Sequence, residues 1–217
     1  MKHNFSESYQ MKRTKTSKNW MHEHVDDFYV NEAQRLGYRS RAAFKLLQAN
    51  EKYKFLKQGS RIVDLGSAPG SWSEVLSKLI GERSRIIAVD ILAMQNIKNV
   101  EFIQGDFREE AVLLQLERKL ENEQLDLVIS DMAPNISGIK VKDQLEIIYL
   151  NELALDFSLK WLKPNGHFLV KSFVGTDFEK FLGQVKRSYK KVTTFKPKAS
   201  RDRSSEIFIY ARDLVAH

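Results

Sequence analysis

Hydrophobic positions along the chain alternate between two rhythms. Short runs rich in β-branched residues, at 61–65, 85–90, 100–104, 125–130 and 167–172, read as strands. Between them, apolar residues recur every three or four positions over 71–80, 109–121 and 141–162, which places them on one face of a helix. Strand and helix in alternation predict βαβ units, hence an α/β fold with a mainly parallel sheet and helices around it. Two helices are predicted ahead of the first strand, over 25–36 and 40–50, with Ser40 placed to cap the second. The chain closes with a predicted helix over 176–189 and two strand-like runs, 191–196 and 206–211, joined by a basic loop. So close a pair predicts antiparallel pairing.

Residues 1–20 are polar, carry Lys2, Lys12, Arg13, Lys15 and Lys18, and show no sustained apolar period. They are expected to form a flexible basic tail, leaving 21–217 as a single domain. There is no internal repeat.

Composition narrows the function classes. A chain of 217 residues, 42% of them apolar, can bury one sizeable core, which agrees with one domain. Cysteine is absent, and with it any disulfide framework, thiolate metal site or cysteine nucleophile. The longest apolar runs are strand-sized, far short of the ~18 to 20 residues of a membrane span, and the first residues lack the apolar block of a secretory signal. A cytoplasmic monomer without a metal site is expected. The formal net charge of +7 attracts polyanions at long range, so nucleic acid is the leading partner, although charge alone also serves solubility.

The first predicted strand runs into Asp64-Leu65-Gly66-Ser67-Ala68-Pro69-Gly70-Ser71-Trp72, a turn of small residues leading into a helix. Gly66 and Gly70 let the backbone approach a ligand closely, and in an open α/β sheet such a turn lies at the carboxyl edge, where ligands bind. Ala68 and Pro69 break the G-x-G-x-x-G spacing of dinucleotide folds. Asp90 closes the second strand, where a carboxylate can accept from both hydroxyls of an adenosine ribose. Asp106, just past the third strand, is placed to accept from the exocyclic amine of adenine. Either aspartate alone reads equally as a turn or capping residue, and Trp72 as a core side chain; their occurrence at successive strand ends points into one crevice. Asp131 follows the fourth strand, and Lys171 ends the fifth after a nearly unbroken apolar run. A lysine there can snorkel to solvent, but a second charge on the neighbouring strand end favours a site.

The ordered set Arg39-Ser40-Arg41-Ala42-Ala43-Phe44-Lys45-Leu46, the 64–72 turn, Gly105-Asp106-Phe107-Arg108, Asp131-Met132-Ala133-Pro134-Asn135, Lys171, and Ser200-Arg201 through Glu206 resembles the FtsJ-like family of large-subunit ribosomal RNA ribose methyltransferases. The resemblance covers nearly everything from Trp20 to Arg212; it departs at Ser71, where the family more often has a second glycine. It implies a Rossmann-like sheet of seven strands between helices, S-adenosylmethionine as cofactor, and transfer of a methyl group to a uridine ribose 2'-oxygen in the ribosomal A-loop of the assembled large subunit. It further implies that Lys45, Asp131, Lys171 and Glu206 form the catalytic tetrad, and that Gly70, Trp72, Asp90, Asp106 and Asp131 contact the cofactor, to which the turn itself adds Gly66.

The chemistry accounts for these groups. The enzyme must align oxygen, methyl carbon and sulfur, then remove a proton from a weakly acidic hydroxyl. Lys171 is the candidate base; cationic Lys45 and burial favour its neutral form, while Asp131 and Glu206 oppose it. The alternative is a charged Lys171 that steers the hydroxyl and stabilises developing oxyanion character. Arg39, Arg41, Lys196, Lys198, Arg201 and Arg203 are candidate phosphate contacts. Two other readings remain open: an assembly factor that does not catalyse, against which the intact tetrad argues, and a nicotinamide-dependent oxidoreductase, against which the glycine spacing argues.

Overall fold

The structure is a computed structural model that describes residues 27–135, 137–201 and 203–215. The basic tail lies outside the described residues. Helices α1 (Phe28–Arg35) and α2 (Ala42–Tyr53) precede β1 (Arg61–Leu65), α3 (Ser71–Ile80), β2 (Arg85–Asp90) and β3 (Val100–Gln104). There follow α4 (Glu110–Leu120), β4 (Leu125–Ser130), α5 (Lys140–Trp161), β5 (Leu162–Phe173), α6 (Phe178–Ser188), β6 (Tyr189–Phe195) and β7 (Glu206–Leu214).

The seven strands form one sheet in the order β3-β2-β1-β4-β5-β7-β6. From β1 the chain first builds outward through β2 and β3, then returns to build the other way from β4. The carboxyl ends of β1 and β4 therefore flank the topological switch point, the place where open α/β sheets bind ligands. Strands β1 to β5 pair in parallel, whereas β7 runs antiparallel to both β5 and β6, as the short terminal connection predicts.

Successive side chains on a strand point to opposite faces, and the sheet divides its apolar residues accordingly. Val63, Leu65, Ile87, Val89, Val128, Phe168 and Val170 form one core with residues of α4, α5 and α6. Ile62, Ile86, Leu127, Ile129, Leu169 and Phe208 form the other, with Leu46 and Ala49 of α2 and Trp72, Val75 and Leu76 of α3. Coverage on both faces explains why these parallel strands read as continuous apolar runs. Helix α6 buries Phe178, Phe181, Leu182 and Val185, the spacing of a single helical stripe.

Element boundaries move where tertiary contacts decide them. Helix α1 starts at Phe28 because the Asp27 side chain accepts from Tyr29 N and Val30 N; the predicted start at 25 lies outside the described residues. Ser40 sits one position further out than predicted, its Oγ accepting from Ala42 N at 3.2 Å. Strand β5 begins at Leu162, which pairs with Leu125; Leu127 already faces His167, so 163–166, with Pro164 and Gly166, forms an irregularity. Tyr189 belongs to β6, not α6: its ring stacks on Phe168 at 6.0 Å and its hydroxyl meets Ser158 Oγ at 2.7 Å. Among the described residues no helix is long and apolar enough to cross a membrane.

Candidate active site

The turn after β1 is held by backbone. Gly66 N and Ser67 N donate to Val89 O at 2.9 and 3.2 Å, and Asp131 N donates to Leu65 O at 3.0 Å. Gly66 has a φ of +77°, and a Cβ there would meet the N and Cα of Met132 at 2.7 Å. Glycine is required twice over: for the left-handed conformation and for the close approach of the loop after β4. Gly70, with a φ of +104°, starts α3.

Asp90 and Asp106 stand where the strand pattern places them, and both carboxylates are already engaged. Asp90 Oδ2 accepts from Ala68 N at 2.8 Å and Oδ1 from Leu92 N at 2.8 Å, so this residue joins the turn to the loop after β2. Asp106 is gripped by Arg108, whose Nη2 lies 2.6 Å from Oδ2; this hydrogen bond holds the Asp106 carboxyl below the ordinary aspartate range. Trp72 lies in the core: its ring is 2% exposed, packs on Phe208 at 5.8 Å, and its Nε1 donates to Ala42 O at 2.8 Å.

Sequence reasoning missed Asp64 as a group in its own right. The side chain is fully buried at the end of β1, and desolvation, with Asp131 and Asp90 nearby, pushes its carboxyl up to about 7. Ser73 Oγ donates to its Oδ2 at 2.6 Å, while Oδ1 is buried without a hydrogen-bond partner. Ser67 Oγ and Ser130 Oγ are buried and unpartnered beside the same strand ends. Buried polar atoms left unpaired are costly, and these three stand at the carboxyl ends of β1 and β4, with Asp64 on the sheet face that α3 covers and Ser130 on the opposite one. A lone carboxylate within the apolar run 61–65 was the available signal.

The four charged candidates arrive from four elements and assemble as two pairs. Lys45 Nζ of α2 lies 2.7 Å from Glu206 Oε2 at the start of β7. Ser200 Oγ donates to the other oxygen of Glu206 at 2.6 Å. Lys171 Nζ of β5 lies 2.7 Å from Asp131 Oδ1 and donates to Asp131 O at 2.7 Å. The register links the pairs: Lys171 faces Phe208 and Phe173 faces Glu206 across the β5–β7 ladder. Lys171 and Glu206 are therefore diagonal neighbours on one face of the sheet. Lys45 Nζ lies 5.8 Å from the centre of the Phe208 ring, which closes the group. Lys171 is 7% exposed, and Glu206 is buried too.

The basic candidates divide. Lys198, Arg201 and Arg203 line a cavity of about 420 Å³ with Asp27, Tyr29, Arg41 and Ser200, directly beside Glu206. Arg41 is tied inward: its Nε donates to Ala199 O at 3.1 Å, and Nη1 pairs with Asp27. Lys196 Nζ donates to Ser204 O at 2.6 Å. Arg39 turns away from this cavity, with Nη1 donating to Pro69 O at 2.8 Å.

A relative from Methylobacillus flagellatus described as ribosomal RNA large subunit methyltransferase E is 58% identical over 199 residues, covering 92% of this chain and 96% of its own. A relative of the same description from Chromobacterium violaceum is 54% identical, covering 93% and 98%. The crystal structure of a protein described as a ribosomal RNA methyltransferase from Plasmodium falciparum superposes with a TM-score of 0.71 at 30% identity, over 83% of this chain and 100% of that one. The model of the FtsJ-like methyltransferases matches residues 38–214, and the chain belongs to that family.

Proposed function

We propose that this protein methylates the 2'-hydroxyl of a uridine ribose in the A-loop of large-subunit ribosomal RNA, acting on the assembled large subunit with S-adenosylmethionine as donor. The convergence of the Lys45–Glu206 and Asp131–Lys171 pairs beside the Gly66 turn carries this reading. Relatives described as large-subunit ribosomal RNA methyltransferases support the substrate class.

The crevice fits the donor. Asp64 Oδ1 and Ser67 Oγ, at the carboxyl end of β1, offer buried polar atoms for the charged end of an amino acid. Asp90 stands at the second strand end for ribose hydroxyls, and Asp106 at the third for the adenine amine, once Arg108 shares its carboxylate. Gly66 and Gly70 serve the crevice by letting its walls pack closely, against Met132 at the one and against Met94, Ile97 and Arg39 at the other, and not by exposing backbone to the ligand as the sequence suggests. Because the Trp72 ring is in the core, its contribution to this crevice is the support of α3. When bound, S-adenosylmethionine supplies a methyl group already activated by the sulfonium.

The chain's own part is alignment and proton handling. Asp131 holds Lys171 Nζ at the floor of the site, and Glu206, fixed by Ser200, holds Lys45. Orienting the hydroxyl by such buried donors removes much of the entropic part of the barrier. Lys171 either accepts the hydroxyl proton as a neutral amine or, as the ammonium, donates to the developing oxyanion while the hydroxyl proton leaves to solvent. Lys198, Arg201 and Arg203 contact the flanking phosphates. Mapping ribose methylation at nucleotide resolution in RNA from cells with and without the protein tests this function. The expected result is loss of one 2'-O-methyluridine in large-subunit RNA; an unchanged ribosomal map, or a loss confined to transfer RNA, contradicts it.

A further inference from the structure

We infer that Arg39 is a positioning residue for the cofactor crevice, a clamp between its two backbone walls, and does not bind RNA phosphate. This rests on the reading of the crevice as the S-adenosylmethionine site. One wall is the 66–70 turn after β1; the other is the 91–99 loop after β2. The guanidinium joins them from outside: Nη1 donates to Pro69 O at 2.8 Å and to Gln95 O at 3.3 Å, and Nη2 to Asn96 O at 3.4 Å. Asp90 joins the same two segments through the complementary groups, accepting from Ala68 N and Leu92 N. A carboxylate gathers the N–H groups and a guanidinium gathers the carbonyls.

The space around Gly70 shows how closely the walls meet. A Cβ on Gly70 would lie 2.8 Å from Met94 Sδ, 2.8 Å from Ile97 Cδ1 and 3.0 Å from Arg39 Nη1. Arg39 is itself anchored, its backbone N donating to Glu74 Oε2 at 3.3 Å, while Ser40 Oγ and Ser71 Oγ meet at 2.7 Å. The planar fork of arginine can reach carbonyls on two loops at once; the compact ammonium of lysine cannot. Without the clamp, both loops must be ordered at the moment of binding, and affinity for the cofactor falls.

Calorimetric titration of the full chain with S-adenosylmethionine, set beside RNA binding followed by fluorescence anisotropy, tests this. Arg39→Ala is expected to weaken cofactor binding tenfold or more, with RNA affinity within twofold of wild type and the cofactor-free thermal midpoint little changed. Arg39→Lys keeps the charge and is expected to bind cofactor as poorly as the alanine variant; it also serves if the alanine variant fails to fold. Faster amide exchange in the 94–97 loop of the folded lysine variant would support the clamp independently. The inference is overturned if either variant loses RNA affinity while binding cofactor normally. A wild-type chain that binds no S-adenosylmethionine would instead overturn the reading of the crevice, and the inference with it.

Discussion

Lys45 and Glu206 stand 161 positions apart in the chain, yet Nζ and Oε2 meet at 2.7 Å. The pair exists because α2 packs against the sheet face that carries Phe208, two residues beyond Glu206 on β7. Glu206 spends its second oxygen on Ser200, from the loop that also bears Arg201 and Arg203. The basic loop and the Lys45–Glu206 pair are thus joined through one carboxylate.

Ser200→Ala removes that join and leaves both lysines in place. A hydrogen bond to a charged group contributes about 1.5 to 3 kcal/mol, so a stability loss near the lower end is expected. Single-turnover methyl transfer should slow by about tenfold, equivalent to about 1.4 kcal/mol in the barrier, with cofactor affinity unchanged. Transfer at the wild-type rate would remove Ser200 from the mechanism.

Asp64 gives the folded state a pH signature. Its carboxyl titrates at about 7 in the folded chain against an ordinary value of 3.8, so between these limits the folded state holds a proton that the unfolded state has released. Stability must therefore fall as pH rises from 4 to 7, by up to about 4 kcal/mol, and level off above that. His167, which burial pushes down, contributes with the opposite sign, so the comparison must be between wild type and Asp64→Asn. Urea midpoints at pH 5 and pH 8 without cofactor should show a smaller loss in the variant; identical losses would refute the buried-acid account.

Two glycines separate conformation from contact. Gly66 and Gly81 have nearly the same φ, +77° and +76°, but a Cβ at Gly66 runs into the Met132 backbone whereas at Gly81 it meets nothing within 4 Å. Gly81→Ala should cost about 1 to 3 kcal/mol from backbone strain alone and leave cofactor binding intact. Gly66→Ala should cost more and abolish binding. Equal thermal shifts in the two variants would show that the close approach does not matter.

The basic cavity should report itself through salt. If Lys198 and Arg201 each neutralise one phosphate, Lys198→Ala/Arg201→Ala reduces the slope of log K against log salt by about 2. Anisotropy titrations between 50 and 200 mM salt would measure it. An unchanged slope would place the RNA elsewhere.

The sheet was legible because its strands are marked by short, largely apolar runs and its helices by stripes such as Phe178, Phe181, Leu182 and Val185. Edges were less so: Leu162 joins β5 only through its partner Leu125, and Tyr189 becomes a strand residue by stacking on Phe168. Asp131, Lys171, Asp90 and Asp106 were visible as charges at strand ends, where the α/β pattern itself names the ligand edge. Lys45 and Glu206 look like ordinary surface residues and were found only through the family resemblance. Arg39 and Arg41 show what charge alone does not reveal: both read as phosphate contacts, and both also donate to backbone carbonyls, Arg39 to those of Pro69, Gln95 and Asn96 and Arg41, which still lines the basic cavity, to that of Ala199. Backbone carbonyls carry no sequence signal.

Single-turnover methyl transfer to ribosomal RNA by wild type and Lys171→Ala, with S-adenosylmethionine affinity measured on the same preparations, is the most direct test of the converging charges. The predicted result is cofactor binding preserved and transfer slowed by at least a hundredfold. Transfer by Lys171→Ala at the wild-type rate would contradict the account.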